Sequence, residues 1–139
     1  MCKDKLNNEK AKISVRQLIW SKSNPSPMNG DYMYLSGCEN AVWVKKKGSP
    51  FNAHCKSNVL TFPCGRSKLH PTEKNHQLIT DLILDNSNEN DIVFDPCCGS
   101  GSHCLMAKEN NRRFLGVELD TEYFNVAKSR FTIDNKDKV

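Results

Sequence analysis

Apolar and polar positions fall into two regimes along this chain. Before residue 70 the apolar residues come in short bursts. Val15–Trp20 and Ala41–Val44 are rich in β-forming side chains with weak alternation, and both read as strands. The first is stopped by Ser21-Lys22-Ser23-Asn24-Pro25-Ser26-Pro27, whose prolines cannot continue a ladder. The second is stopped by a lysine run and Gly48-Ser49-Pro50. Residues 48–71 hold Pro50, Pro63, Gly65 and Pro71 and read as a loop-like insert, while residues 1–12 are polar, frayed or helical.

From His70 onward the period lengthens. Pro71-Thr72-Glu73 reads as a helix start, Leu78, Ile79, Leu82 and Ile83 fall at helical spacing, and Asn86-Ser87-Asn88 ends the run. Ile92-Val93-Phe94 is a short apolar strand of the kind buried on both faces. It runs into Asp95-Pro96-Cys97-Cys98-Gly99-Ser100-Gly101, a turn that should open a helix near Ser102. A further strand is expected over Phe114–Leu119. A last helix should start at Asp120-Thr121, with Phe124, Ala127 and Phe131 on one face. The strand–helix–strand spacing from Asp91 to Leu119 matches a right-handed βαβ unit, hence a parallel pair.

At 139 residues, with 37% hydrophobic and 26% charged positions, the chain can bury one core, is too short for two, and is too apolar for a disordered segment. No apolar run is long enough for a membrane, and the start MCKDKLNNEKAK lacks the apolar stretch of a signal peptide, so a cytoplasmic protein is expected. The seven cysteines are odd in number, irregularly spaced and without a Cys-x-x-Cys pair. Adjacent His103 and Cys104 would point in different directions on a helix. Reduced, structural cysteines and no metal site are the expectation.

The net charge of +4 hides an asymmetry. Residues 1–74 hold thirteen Lys/Arg against five acids, a balance of +8, and residues 75–139 come to −4. Positions 40–72 carry Lys45, Lys46, Lys47, Lys56, Arg66 and Lys68 with no acid at all. Such a segment suits a polyanion, because each cation that meets a phosphate releases counterions; a solvated basic loop is the alternative.

The turn Gly99-Ser100-Gly101 sits where open α/β sheets hold nucleotides, and glycine lets a ligand approach without a Cβ in the way. Glu118 follows seventeen residues after Gly101, at the end of the next strand, where an acid can accept both hydroxyls of a ribose. The dinucleotide fingerprint wants a third glycine where Cys104 stands, and no P-loop lysine follows. A cofactor with adenine and ribose but no pyrophosphate, such as S-adenosylmethionine, fits better. The alternative is a tight turn only, with Glu118 capping the last helix.

At this point the chain resembles the β-class S-adenosylmethionine-dependent DNA N-methyltransferases, which methylate the exocyclic amine of adenine or cytosine. The resemblance rests on Ile19-Trp20-Ser21-Lys22-Ser23-Asn24-Pro25-Ser26-Pro27, Cys38-Glu39-Asn40-Ala41-Val42-Trp43 and His70-Pro71-Thr72-Glu73-Lys74-Asn75. Phe94-Asp95-Pro96-Cys97-Cys98-Gly99-Ser100-Gly101 and Gly116-Val117-Glu118-Leu119-Asp120 complete it, in the family's order. It covers about residues 15–131 and implies an α/β fold, part of a Rossmann-like class I methyltransferase sheet. A βαβ cofactor unit and a β-hairpin are present in it, and the central strands are absent from this chain. Residues 1–139 would form a single partial domain. Its parts are a strand pair over 13–47, a basic target-recognition insert over 45–70, and a cofactor-binding helix with a βαβα unit over 70–131.

Carried over position by position, the resemblance implies S-adenosylmethionine bound by Thr72, Lys74, Asp95, Cys97, Gly99, Ser100, Gly101 and Glu118. It further implies double-stranded DNA held by Lys45, Lys46, Lys47, Lys56, Arg66 and Lys68. There are departures. Cys97 stands for the family's Phe and removes an aromatic wall. Ser102-His103 stand for Thr-Thr, so His103 adds a titratable group. Asn75 replaces a proline and should matter little. The family's Asp/Asn/Ser-Pro-Pro-Tyr/Trp/Phe tetrapeptide, which grips the target amine and stacks on the flipped base, does not occur in these residues, and no residue here is a candidate for that catalytic role. Three readings follow: one portion of a methyltransferase completed by another chain, an inactive truncated remnant, or a small nucleic-acid-binding module.

Overall fold

A computed structural model describes residues 12–28, 30–64 and 74–132. Within them the elements run β1 (Ile13–Lys22), β2 (Cys38–Lys46), β3 (Val59–Phe62), α1 (His76–Asn86), β4 (Ile92–Asp95), α2 (Ser102–Glu109), β5 (Arg113–Gly116) and α3 (Thr121–Thr132). The chain divides into two compact units between residues 64 and 65, inside the stretch read from sequence as the basic insert.

The first unit is a three-stranded sheet in the order β2-β1-β3. β1 and β2 pair antiparallel from Ile13 opposite Lys46 to Ser21 opposite Cys38, which extends both expected strands at each end. β3 lies parallel to β1, Ile19 beside Val59, and corrects the expectation that residues 48–71 form a loop throughout. Val59-Leu60-Thr61-Phe62 gains its ladder from a strand forty residues earlier, a long-range pairing that overrides the surrounding prolines. Val15, Trp20 and Leu60 form the buried positions, and the Trp20 indole N–H donates to the Phe62 carbonyl at 2.9 Å.

The second unit sets helices against a two-stranded parallel sheet, β4 beside β5. Ile79, Ile83, Met106 and Ala107 make its core, with Val93 and Leu105 packed against them. The apolar positions of α1 recur at helical spacing, so one stripe of that helix meets α2. Asn75 is the N-cap of α1, its side chain accepting the Leu78 amide hydrogen at 3.1 Å. The proline replaced there could not make that bond, so Asn75 matters more than expected. The Pro71-Thr72-Glu73 start lies outside the described residues, and the helix itself begins at His76.

Two further expectations are corrected. Ile92 and Phe94 are 58% and 57% exposed, because the helices cover only the face that carries Val93. β5 ends at Gly116 rather than Leu119, and Leu119 is 98% exposed. The last helix starts where expected, at Thr121. Asp120 is its cap, its carboxylate accepting the amide hydrogens of Glu122 and Tyr123 at 2.9 and 3.0 Å. Glu118 therefore does not hold that role. Among the described residues no helix is long and apolar enough to cross a membrane.

Candidate functional site

The site is built on the carboxyl ends of the two parallel strands. β4 ends at Asp95 and β5 at Gly116, neighbours in the ladder. The chain leaving β4 is tied to the chain leaving β5 by backbone bonds: the Val117 N–H to the Asp95 carbonyl and the Cys98 N–H to the Val117 carbonyl, both at 2.9 Å. Gly99 and Gly101 have φ of 52° and 81°, the left-handed region that side chains disfavour. A Cβ on Gly101 would also lie 3.0 Å from the Ala127 Cβ of α3. Glycine at 101 thus serves both the turn and the close approach of the helix.

Glu118 closes this arrangement. Its Oε2 accepts the Gly99 amide hydrogen at 2.7 Å and its Oε1 that of Asp120 at 2.9 Å. Those amides, Asp120 first and Gly99 second, hold its carboxyl below the usual glutamate range. Asp95, half-buried, accepts the Cys97 amide hydrogen on Oδ1 at 3.0 Å, and its Oδ2 lies 3.0 Å from Nδ1 of His103. Cys97 is exposed, and Ser100 is buried under α3. Arg130 reaches from α3 to donate to the Ser100 carbonyl at 3.0 Å and the Ser102 hydroxyl at 3.1 Å. Sequence reasoning missed Arg130; its one signal was an arginine one position before Phe131, on the face already assigned to packing.

Behind the turn, Cys98 and Cys104 converge on Gly116. A Cβ there would lie 2.7 Å from the Cys104 sulfur and 3.0 Å from that of Cys98. Burial is the main force pushing both thiols up, Cys104 to about 11, with carboxylate charge from Asp95 adding to it. An apolar cavity of about 250 Å³ opens beside them, lined by Phe114, Phe124, Ala127 and Phe131, with Lys128 also on its wall. Among the described residues Cys38, Cys55 and Cys97 are exposed, so a packing role fits Cys104 and Cys98 and not those three. Among the described residues no three His, Cys, Asp or Glu side chains are grouped to hold a metal ion.

The structure thus brings Asp95, Cys97, Gly99, Ser100, Gly101 and Glu118 into one turn-centred cluster. Lys74 directly precedes the α1 cap, and Thr72 lies outside the described residues. The basic residues are less uniform. Lys45 and Lys46 sit opposite Ser14 and Ile13 at one end of the hairpin, where strand alternation sends them to opposite faces. Lys47 donates its amide hydrogen to the carbonyl of Lys12, a lysine at the same end that sequence reasoning did not single out. Lys56 is exposed in the β2–β3 connection, and Arg66 and Lys68 lie outside the described residues.

A family model described as DNA methylase matches residues 3–129. The chain belongs to that DNA methylase family. Among this methylase chain's curated relatives is the type II methyltransferase M2.DpnII of Streptococcus pneumoniae, 25% identical over 94% of the chain and 55% of the relative. Another is M.HinfI of Haemophilus influenzae, 27% identical over 84% of the chain and 38% of the relative. The methylase chain thus spans about half the length of the first curated relatives it matches. Among solved structures, the M1.HpyAVI–SAM complex superposes with a TM-score of 0.73 at 36% identity, over 88% of this chain and 65% of that one. The PvuII DNA methyltransferase, described as cytosine-N4-specific, does so at 0.68 with 20% identity and bears on the fold alone. The α/β architecture is accordingly a partial Rossmann-like methyltransferase fold.

Proposed function

We propose that this chain supplies the cofactor-binding and DNA-recognition portion of an S-adenosylmethionine-dependent DNA N-methyltransferase. Its target is the exocyclic amine of adenine or cytosine in double-stranded DNA, and a complementing polypeptide carries the Asp-Pro-Pro-Tyr motif. The observation that carries the reading is the Glu118 carboxylate clasping the Gly99 amide at 2.7 Å over the ends of two parallel strands. The Glu118 oxygens accept the Gly99 and Asp120 amide hydrogens, and an ionised carboxylate offers about four lone-pair directions, which leaves acceptor capacity for a ribose hydroxyl. The absence of a Cβ at Gly99 permits a close approach to the turn, while at Gly101 that space is taken by Ala127 of α3. These residues fit an adenosyl group.

Bound there, S-adenosylmethionine supplies a methyl group already activated on a sulfonium. The chain's own part is to orient it: Glu118 takes the ribose, while Asp95, Cys97, Ser100 and Gly101 line the methionine end with Lys74 and Thr72. Lys45, Lys46, Lys47, Lys56, Arg66 and Lys68 meet DNA phosphates, which fix position rather than sequence. A covering layer from the rest of the methyltransferase fold is supported by the sheet face bearing Ile92, Phe94 and Leu115. These apolar side chains are more than half exposed on a strand pair that such folds normally sandwich between layers.

Calorimetric titration of the 139-residue chain with S-adenosylmethionine tests the reading. A saturable one-to-one signal is expected. Absence of heat at millimolar ligand, with the chain folded by circular dichroism, would leave the nucleic-acid-binding module in its place.

A further inference from the structure

We propose that His103 is a positioning residue for the cofactor turn: it holds the Asp95 carboxylate and sets how much negative charge that carboxylate offers a cationic cofactor. The inference rests on the reading of Asp95 as a cofactor-lining residue. Asp95 ends β4 with its side chain 17% exposed, and both oxygens are engaged, Oδ1 by the Cys97 amide and Oδ2 by His103 Nδ1, each at 3.0 Å. His103 is the second residue of α2, so it reaches back across the turn that opens its own helix. Its ring is 43% exposed.

The two protonation states of the ring have different consequences. A neutral imidazole donates Nδ1–H and leaves the carboxylate its charge. An imidazolium balances that charge and leaves the pair neutral overall. S-adenosylmethionine carries a sulfonium and an ammonium against one carboxylate, so its net positive charge is attracted by the pair with a neutral ring and loses that attraction when the ring is protonated. The other charged groups facing the turn hold steady between pH 5.5 and 8. Burial keeps the Cys98 and Cys104 thiols protonated. The amides of Asp120, Gly99 and Leu119 favour the ionised Glu118, Asp120 is committed to capping α3, and Arg130 from α3 is cationic throughout.

The test measures the Kd for S-adenosylmethionine from pH 5.5 to 8.5 on the chain and on its His103→Thr and Asp95→Asn variants. An NMR titration of the His103 ring without cofactor runs beside it. Wild-type affinity is expected to rise several-fold with pH. His103→Thr should bind with near wild-type affinity at pH 8 and show a flat profile. Asp95→Asn, which keeps an oxygen for the Cys97 amide, should alter the His103 ring titration, because the Nδ1 partner has lost its charge. A profile in His103→Thr as steep as wild type overturns the proposal, as does a ring titration indifferent to Asp95→Asn. Affinity unchanged by Asp95→Asn at every pH, or no binding by any form, instead removes Asp95 from the cofactor site, while the NMR arm still decides whether the pair exists.

Discussion

Glu118 and Gly99 stand nineteen residues apart in sequence, yet the carboxylate of one accepts the amide hydrogen of the other at 2.7 Å, joining the turn after β4 to the turn after β5. Because the folded state depresses this carboxyl, the bond contributes stability that is present above the ordinary glutamate range and is lost as pH falls through the lowered value. The Gly99 and Asp120 amide resonances should therefore titrate together below that range. In Glu118→Gln neither should titrate there, and S-adenosylmethionine affinity should fall about tenfold or more through loss of a charge-assisted acceptor. Gly99 and Asp120 resonances that keep titrating in the variant would remove Glu118 from the clasp.

The thiol pair behind the turn gives an alkaline counterpart. Cys104, pushed up to about 11, keeps its proton in the folded state where an unfolded cysteine near 9 has lost it. The packing thus contributes stability that is intact below pH 9 and is lost as pH rises toward 11. In an iodoacetamide time course at pH 8 read by mass spectrometry, exposed Cys38, Cys55 and Cys97 should label first and Cys104 last. Early labelling of Cys104 in folded protein would contradict the packing over Gly116.

How far these features were legible beforehand follows from their range. The turn and the acid were readable because strand, glycines and Glu118 follow one another within some thirty residues, and a βαβ unit keeps sequence neighbours together in space. β3 was not, since four residues between Asn58 and Pro63 show no usable alternation and their partner is a distant strand. The apolar run at Ile92–Phe94 states what a strand tends to bury; whether a second layer covers it depends on chain elsewhere, and here its outer face is open. His103 was visible as an odd residue at its position, but its partner depends on how tightly the turn folds back, which only the 3.0 Å contact with Asp95 reveals.

Gly116 illustrates a packing constraint with a measurable cost. Alanine there would put its Cβ 2.7 Å from the Cys104 sulfur, closer than real side chains come, so strand or helix must shift. Overpacking of this kind costs about 1–3 kcal/mol. Gly116→Ala should be destabilised by that order in chemical denaturation. Combining it with Cys104→Ala should cost less than the two changes summed, since the sulfur responsible is gone. Strict additivity would mean that the two positions do not touch.

The hairpin lysines can be separated by strand geometry. Lys45 and Lys46 are consecutive in β2 and project to opposite faces of the sheet, so one duplex docked on one face meets only one of them closely. Each phosphate contact contributes about one unit to the slope of log affinity against log salt. Of the single variants Lys45→Ala and Lys46→Ala, one should lower that slope by about one and the other should leave it near wild type, with Lys47→Ala siding with whichever face binds. Fluorescence anisotropy of a labelled duplex across a salt series reads this directly. Equal reductions in both variants would mean that the duplex grips the hairpin end across both faces. Two unchanged slopes would make this a solvated basic end, and DNA recognition would then rest on Lys56, Arg66 and Lys68.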